Sequence, residues 1–184
     1  AQRHFASYRL LKRCTVIFAV LSPYDLKTGR ELYMKCYENT WLASHGDLSG
    51  FSPVIYQRTA EKHAARDPQC LMYLTYGGRF AGIVELDPDR GREAGAGWIS
   101  LIWIEQDMRR TRLGVQLIGH AVSYFRRKGR RSIRLHVAET NAAAIGFYEN
   151  LGFQKIGTAQ GAVGTLYLME WDITQRALAP EDIF

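Results

Sequence analysis

The order of elements in the second half of the chain limits the fold more than any other feature of the sequence. Residues 98–104 form an apolar run typical of a central strand, and a basic loop then leads to a helix predicted over residues 113–128. The apolar residues on the buried face of that helix recur every fourth position, at Leu113, Leu117, Ala121 and Phe125. A strand over residues 132–138 and a helix over residues 141–151 follow. Strands that alternate with helices in this way predict a sheet with helices packed on its faces.

Hydrophobic patterning also predicts the elements of the remaining segments. These are a strand at residues 13–21 ended by Ser22-Pro23, helices at 26–45 and 53–65, strands at 71–76 and 79–86, and strands at 154–159 and 165–171. The strands before and after Gly77-Gly78 form a hairpin, because two glycines tolerate the positive φ angles of a two-residue turn. The whole pattern predicts a mixed sheet in an α/β or α+β fold.

Length and composition indicate one globular domain. The chain has 184 residues, 47% of them hydrophobic and 23% charged, which excludes a disordered protein. Its longest apolar stretch, residues 14–21, is too short to span a bilayer, and no signal-peptide pattern is visible. We therefore expect a cytoplasmic protein. Because the chain begins at Ala1, we also expect residues 1–12 to be an extension cut from a longer protein and residues 13–184 to be the domain.

The sequence contains three cysteines, Cys14, Cys36 and Cys70. An odd count argues against a disulfide framework, and their spacing is not that of a metal site, so no metal is expected.

The formal net charge of +6 is unevenly distributed. Positive residues form two clusters, one of Arg109, Arg110 and Arg112, the other of Arg126, Arg127, Lys128, Arg130, Arg131 and Arg134. A solvated basic face is the simplest explanation. Nucleic-acid binding is an alternative, but no recognition motif accompanies the charges, and we expect no nucleic-acid partner. A phosphate-rich ligand would use the same charges, and the context of the first cluster favours it.

That first cluster lies between an apolar strand and a helix start. Exposed N–H groups at a helix N-terminus, together with the helix dipole, form an anion site. Nearby arginines would add charge-assisted hydrogen bonds to phosphate. Taken alone, the segment is explained equally well as an ordinary sheet crossover with a solvated loop.

A second motif decides between these explanations. The loop Arg109-Arg110-Thr111-Arg112-Leu113-Gly114 and the later residues Asn141, Ala144, Tyr148, Gly152 and Phe153 together resemble the GCN5-related N-acetyltransferase (GNAT) superfamily. The first set matches the family's phosphate loop, Gln/Arg-x-x-Gly-x-Gly/Ala, and the second its Asn-x-x-Ala-x-x-x-Tyr-x-x-x-Gly-Phe pattern. The match is clear over residues 98–156 and extends plausibly from Cys14 to the end. One departure is Arg112, which stands where the family's first loop glycine would be.

The resemblance implies a mostly antiparallel sheet of six to seven strands and a binding site for acetyl-CoA as co-substrate. Strand 98–104 would splay from strand 132–138, with pantetheine in the gap. Backbone groups near Trp103 and Ile104 would hold the pantetheine and the acetyl carbonyl, and Asn141 would hydrogen-bond the pantetheine arm. The N–H groups that would hold the pyrophosphate belong to Arg109, Arg110, Thr111, Arg112, Leu113, Gly114 and Val115.

The family's activity would be transfer of an acetyl group to a primary amine by direct attack. Tyr148 would be the general acid that protonates the departing CoA thiolate. No base can be identified from the motifs. Glu85 is the first candidate, with Glu105, Glu139 and a water chain as alternatives. His136, in mid-strand, is expected to be a core histidine with its hydrogen bonds satisfied.

Acceptor recognition should lie in the first two helices and their link. Tyr33, Tyr37, Trp41 and His45 recur at helix spacing and would line an aromatic wall, although core packing explains them at least as well. The pattern does not separate a polyamine, an aminoglycoside, an amino acid or a protein amine. A domain that binds CoA without catalysis, as a sensor or accessory module, is the alternative function. Exposed sheet edges would allow a homodimer.

Overall fold

The computed structural model describes residues 19–174. Seven strands and four helices make up this part of the chain: β1 Ala19–Pro23, α1 Leu26–His45, α2 Pro53–Arg66, β2 Leu71–Tyr76, β3 Arg79–Asp87, β4 Ala96–Ile104, α3 Leu113–Arg127, β5 Ser132–Ala138, α4 Ala142–Asn150, β6 Gln154–Gln160 and β7 Thr165–Asp172. Short 3₁₀ turns precede β2, β4 and α3. The predicted extension, residues 1–12, lies outside the described residues.

All seven strands form one sheet in the order β1-β2-β3-β4-β5-β7-β6. Of the six neighbouring pairs only β4 and β5 run parallel, because α3 carries the chain back over the sheet between them. The other pairs are antiparallel. The predicted fold class, a mixed and mostly antiparallel sheet with helices, is therefore confirmed.

Two hydrophobic cores lie on the two faces of the sheet. Strand β2 shows the division, since Leu71 packs against α1 and α2 whereas Met72 and Leu74 pack against the α3 side. The larger core, on the side of α3 and α4, includes Leu117, Phe125 and other residues of the predicted buried face of α3. Helices thus cover both faces, as predicted.

Most predicted boundaries lie within two residues of the observed ones. At the hairpin, Gly77 and Gly78 have φ angles of 59° and 76°, the positive values that the turn requires. The clearest error concerns Ser22-Pro23, which was expected to end the first strand but belongs to β1. A proline is tolerated there because β1 is an edge strand. Residues 13–18 of that predicted strand lie outside the described residues.

No helix within residues 19–174 is long and apolar enough to cross a membrane. Across the same span, no group of three or more His, Cys, Asp or Glu side chains is placed so that it could hold a metal ion.

Candidate active site

The central feature of the site is a gap between β4 and β5. The two strands pair only from Ala96 with Ser132 to Ile99 with Leu135, although β4 continues to Ile104 and β5 to Ala138. Strand β4 carries a bulge at this point. Glu85 of β3 pairs with Leu101, and the next β3 residue pairs with Ile99, so one residue of β4 is extra. The strands therefore diverge as the family resemblance implied, and backbone groups of both face an unpaired space.

The N-terminus of α3 lies next to the end of β4. Gly114 explains how closely these elements meet, because a Cβ added there would lie 3.1 Å from the ring of Phe147 and 3.8 Å from Ile104 Cγ1. Gly114 thus serves packing between α3 and α4, in addition to the backbone role predicted for it. The packing brings the start of α3, the middle of α4 and the end of β4 to one place.

Among residues 19–174, no side chain caps the N-terminus of α3 by a hydrogen bond. Its N-cap residue is Arg112, whose φ of 64° and ψ of 3° place it in the left-handed region, and Arg110 has a φ of 62°. A glycine adopts this conformation freely, whereas a residue with a side chain pays about 1–2 kcal/mol. Arg112 therefore adopts a backbone conformation that a glycine would reach without strain. The N–H groups of Leu113 and Gly114, which precede the first helical hydrogen bond of Val115 to Arg112, are of the kind that binds an anion at a helix end.

The side chain of Arg109 folds back over the end of β4. Its Nε donates a hydrogen bond of 3.1 Å to the carbonyl oxygen of Ile104, and its guanidinium carbon lies 4.5 Å from the ring centre of Trp103. Both are residues whose backbone was predicted to hold pantetheine. The Ile104 carbonyl is thus occupied by Arg109 in this conformation. Thr111 donates a hydrogen bond to the carbonyl of Met108 and so closes the loop before α3.

Asn141 and Tyr148 both belong to α4. The side-chain oxygen of Asn141 caps this helix by accepting a hydrogen bond of 3.1 Å from the Ala144 N–H, which leaves its amide group as a donor. Tyr148 is 7% exposed and packs between Phe147 and Phe153. Its hydroxyl forms no hydrogen bond with any other described residue. Burial raises the pKa of Tyr148, so the phenol is protonated at neutral pH.

Glu85, the first candidate base, lies beneath α1 and α2. It is 1% exposed and accepts a hydrogen bond of 2.7 Å from the Tyr33 hydroxyl, while Nδ1 of His63 lies 3.9 Å from its other oxygen. Burial raises the pKa of Glu85 to about 7, a direction that the hydrogen bond from Tyr33 opposes. Burial lowers the pKa of His63, so that imidazole is neutral at pH 7. Glu85 therefore has the pKa of a base but no direct exposure to the gap.

The four residues predicted to line the acceptor wall differ in environment, and the fourth, His45, lies against Trp41 at 4.4 Å between ring centres. Tyr33 is fully buried, so core packing rather than an open aromatic wall explains it. Tyr37 and Trp41 are half-buried and belong to an aromatic cluster around the α1–α2 link, residues 46–52. Tyr37 stacks on Tyr56 at 4.4 Å between ring centres, and Trp41 contacts Phe51 at 5.7 Å. This cluster is the part of the predicted wall that ligands could reach.

Apolar side chains surround the same link on the outside. Of the seven large hydrophobic side chains exposed within the described residues, five lie here: Leu42, Leu48, Val54, Ile55 and Val163. The turn between β6 and β7 approaches the link, because a Cβ added at Gly50 would lie 3.6 Å from Val163. We call these five side chains the apolar rim. Motif reasoning missed it, since the rim combines two segments more than a hundred residues apart in the chain.

His136 differs from its predicted environment. It was expected to be a core histidine with satisfied hydrogen bonds, but its side chain is half-buried and the imidazole forms no hydrogen bond with another described residue. Its ring packs edge-on against Trp98 at 4.9 Å. The signal that could have revealed this was the alternation along β5, where Leu135 and Val137 face the α3 core and His136 faces the other side.

Most side chains of the second basic cluster form hydrogen bonds or ion pairs with other residues of the chain. Its contacts are those of Arg126 with the Ile173 carbonyl at 2.7 Å, Arg127 with Gln69 at 2.5 Å, Lys128 with Asp67 at 3.0 Å, Arg130 with the Pro88 carbonyl at 3.3 Å and Arg134 with Glu170 at 2.9 Å. Such contacts tie α3 and β5 to neighbouring elements. They support a structural role for these charges over the alternative of nucleic-acid binding.

A mixed sheet that splits beside an uncapped helix N-terminus is the architecture of the acyltransferases that the motifs resemble. The chain belongs to the acetyltransferase (GNAT) family, whose family model matches residues 26–153. This confirms the family expected from the two motifs. The enzyme class that the family defines is the predicted one, acyltransferase.

Individual relatives agree with this assignment. An uncharacterized N-acetyltransferase of Methanocaldococcus jannaschii is 28% identical over 165 residues, which are 84% of this chain and 66% of that protein. The chain thus spans just under two thirds of the length of this curated relative.

Solved structures share the fold at low identity. A putative acetyltransferase of Salmonella typhimurium, solved with acetyl-CoA, has a TM-score of 0.64 at 16% identity, covering 87% of this chain and 96% of its own. The ribosomal-protein-S18-alanine N-acetyltransferase of Escherichia coli has a TM-score of 0.59 at 18% identity, covering 88% and 98%.

Proposed function

We propose that this protein is an N-acetyltransferase that moves the acetyl group of acetyl-CoA to a primary amine. The observation that carries the proposal is the end of β4–β5 pairing after Ile99 and Leu135, next to the uncapped N-terminus of α3. The gap offers unpaired backbone groups to an amide-bearing arm, and the helix end offers N–H groups to phosphate. The Salmonella structure with acetyl-CoA supports the same choice of co-substrate.

The described residues fit acetyl-CoA in charge and in hydrogen-bonding groups. N–H groups from Arg109 to Val115 would hold the pyrophosphate, with the loop arginines adding charge. Backbone groups of Trp103 and Ile104 would meet the pantetheine, and Asn141 would donate through its amide group, since its oxygen already caps α4. Arg109 would have to release the Ile104 carbonyl if the pantetheine uses that oxygen.

Transfer requires the movement of two protons from the amine. A lysine-like ammonium has a pKa near 10.4, so its neutral form at pH 7 costs about 4.6 kcal/mol. The amine nitrogen then attacks the thioester carbon, the C–N bond forms and the C–S bond breaks. Tyr148 would give its proton to the departing sulfur, and a base would take the second proton of the nitrogen. Glu85 could serve as that base only through water, because it is 1% exposed.

The surroundings of the α1–α2 link favour one kind of acceptor. A polyamine or aminoglycoside requires several carboxylates, but the link carries one, Asp47, which already accepts a hydrogen bond of 2.7 Å from the Ser49 N–H. The apolar rim instead suits an amine flanked by apolar groups, as at the N-terminus of a peptide. The Escherichia coli neighbour is, by its name, an N-acetyltransferase for an alanine of a ribosomal protein, and this supports a peptide acceptor here.

Thiol release tests the proposal. The full chain would be incubated with acetyl-CoA and a panel of amines: an apolar peptide with a free N-terminus, its N-terminally blocked form, spermidine, an aminoglycoside and free amino acids. We expect release that depends on an amine and is fastest with the unblocked peptide. Acetyl-CoA binding without release for any amine would favour the CoA-binding sensor. Absence of both would contradict the proposal.

A further inference from the structure

The connection between β3 and β4 folds back over the face of the sheet that is turned toward α1. Asp87 ends β3 and accepts hydrogen bonds from the N–H groups of Asp89 and Arg90 at 2.9 and 3.0 Å. Beyond this turn, the guanidinium carbon of Arg90 lies 3.5 Å from the ring centre of Trp98 in β4. Because the next residue, Ile99, packs in the α3 core, Trp98 faces the side of α1. Trp98 is only 6% exposed, so the guanidinium rests on a ring that its surroundings hold in place.

Arg90 lies between the closed end of the gap and the aromatic cluster. Trp98 comes one residue before the last pair of β4 with β5, and its ring contacts His136, the first residue of β5 beyond that pair, at 4.9 Å between ring centres. Burial lowers the pKa of His136, and the positive charge of Arg90 lowers it further. Burial raises the pKa of Tyr37, a shift that the same charge opposes. The guanidinium is therefore close to the gap on one side and to the aromatic cluster on the other.

The guanidinium of Arg90 is stacked on an aromatic ring but donates no hydrogen bond to another described residue, and the side chain remains exposed. The carboxylates nearby have other partners. Asp87 attracts Arg90 by its charge, but it accepts the N–H groups of its own turn and lies 3.6 Å from Nε2 of His63. Glu170, further along the same face, accepts a hydrogen bond of 2.9 Å from Arg134. The side-chain N–H groups of Arg90 are therefore available to a ligand.

A stacked arginine with unused N–H groups is suited to bind a carboxylate. Stacking on the ring of Trp98 holds the planar guanidinium in one orientation without using its donors. The guanidinium can then form two parallel charge-assisted hydrogen bonds with a carboxylate, and less side-chain entropy is lost than for a mobile arginine. The same positive charge would repel a second ammonium group on the acceptor.

We propose that Arg90 binds a carboxylate of the acetyl acceptor, so that the preferred acceptor is an amine with a carboxylate a few bonds away. This inference rests on the proposed acetyltransferase activity and narrows its substrate class. The amine would lie at the open part of the gap, and the carboxylate would extend toward the closed end, where Arg90 covers Trp98. The carboxylate belongs either to an acidic side chain near the N-terminus of a peptide or to a free amino acid.

Matched acceptors test the assignment by thiol release. One set consists of peptides with a free N-terminus and Glu, Gln or Lys at the first or the second position. The other set is alanine and alaninamide, which differ only in the α-carboxylate. For wild type we expect kcat/KM to be at least about tenfold higher for the carboxylate member of one set than for its neutral member. A preference among the peptides identifies an acidic side chain as the source of the carboxylate, and a preference for alanine identifies the α-carboxylate.

Variants of the β3–β4 connection assign that preference to one residue. Arg90→Gln should lower kcat/KM at least about tenfold for the carboxylate acceptor and leave the value for the neutral acceptor within about threefold of wild type. Arg90→Glu should favour the Lys peptide over the Glu peptide, because the charge at the site is reversed. Arg92→Gln, which changes an exposed arginine of the same connection, is the matched control and should keep the wild-type preference.

Three results would overturn the assignment. Values of kcat/KM within about threefold for acidic, neutral and basic acceptors would leave the acetyltransferase proposal standing but show that Arg90 binds no carboxylate. An equal loss of kcat/KM for all acceptors in Arg90→Gln would mean that Arg90 only supports this face of the sheet. A wild-type chain that binds acetyl-CoA but releases no thiol with any amine would refute the proposed function itself and this inference with it. Acetyl-CoA binding by each variant confirms that it is folded.

Discussion

The hydroxyl of Tyr148 has no hydrogen-bond partner among the described residues, whereas that of Tyr124 lies 3.1 Å from both Cys70 Sγ and Asp67 Oδ2. Both rings are buried, at 7% and 1% exposure. Removing the oxygen therefore has different consequences at the two sites. At Tyr124 it breaks an internal network, whereas at Tyr148 it removes only a group that is available to a ligand.

Tyr148→Phe should lower kcat at least about tenfold, because the proton donor for the thiolate is lost. Its free energy of unfolding should stay within about 0.5 kcal/mol of wild type, since no internal hydrogen bond is broken. In the control, Tyr124→Phe, the free energy of unfolding should fall by about 1 kcal/mol while kcat stays at the wild-type value. Urea unfolding and steady-state thiol release measure both quantities. Full activity in Tyr148→Phe would remove Tyr148 from the mechanism.

Glu85 makes the stability of the protein depend on pH. Burial raises its pKa in the folded chain from an ordinary 4.5 to about 7. A raised pKa means that the folded state holds the proton more tightly. The contribution of Glu85 to stability is therefore fully present below pH 4.5 and is lost as the pH rises through about 7.

Glu85→Gln should remove this dependence. A pKa difference of two and a half units corresponds to about 3 kcal/mol. The free energy of unfolding of the variant should therefore exceed that of wild type by up to about this amount at pH 8, and the two should be equal near pH 4.5. The difference in free energy of unfolding between wild type and Glu85→Gln isolates the contribution of Glu85, because His63 is present in both proteins. The exposed Glu93→Gln should show no such difference. If the free energy of unfolding depends on pH in the same way for wild type and Glu85→Gln, then ionising Glu85 in the folded chain costs little free energy.

Among the elements, the loop between β4 and α3 carries the one departure noted from the family's motifs. Arg112 adopts the left-handed backbone at a position where the family has glycine, and the strain of about 1–2 kcal/mol is retained in the folded chain. Under the proposed function, the positive side chain of Arg112 would lie near the bound pyrophosphate, which gives a reason for an arginine at this position. The charge and the strain can be separated experimentally.

Arg112→Gly should raise the free energy of unfolding by about 0.5–1 kcal/mol, since the relief of strain exceeds the entropy that glycine gains in the unfolded chain. The same change should weaken acetyl-CoA binding about tenfold and make it less sensitive to salt, because one charge-assisted contact is lost. Arg112→Lys keeps both charge and strain and should match wild type more closely. Urea unfolding and calorimetry at two salt concentrations distinguish the variants. An Arg112→Gly chain that is less stable would show that the arginine side chain stabilises the loop.

At the scale of the whole molecule, the sequence predicted the layers of the fold because their signals are local. The four-residue repeat of α3 and the Gly77-Gly78 turn depend on neighbours in the chain. The gap was predicted only through the family resemblance, since the end of β4–β5 pairing is set by the bulge opposite Glu85.

Features that join distant segments could not be predicted in this way. The covering of Glu85 by α1 and α2, the apolar rim and the unused nitrogens of His136 depend on side chains brought together from separate elements. Patterning placed Tyr33 and Tyr37 on the same helix but could not show that only Tyr37 lies near a surface. The loop conformation of Arg112 likewise required the backbone angles.

The central claim is that acetyl-CoA binds in the gap between β4 and β5, and hydrogen exchange by mass spectrometry tests it most directly. In the free protein, the amides of residues 100–104 and 136–138 that face the gap, and those of residues 109–115, should exchange faster than the amides of the β2–β3 hairpin, because β4 and β5 lack a partner on that side and the third segment lies at a helix start. Saturating acetyl-CoA should slow exchange in these three segments and leave the hairpin unchanged. Unaltered exchange in all three, or protection confined to other elements, would contradict the account.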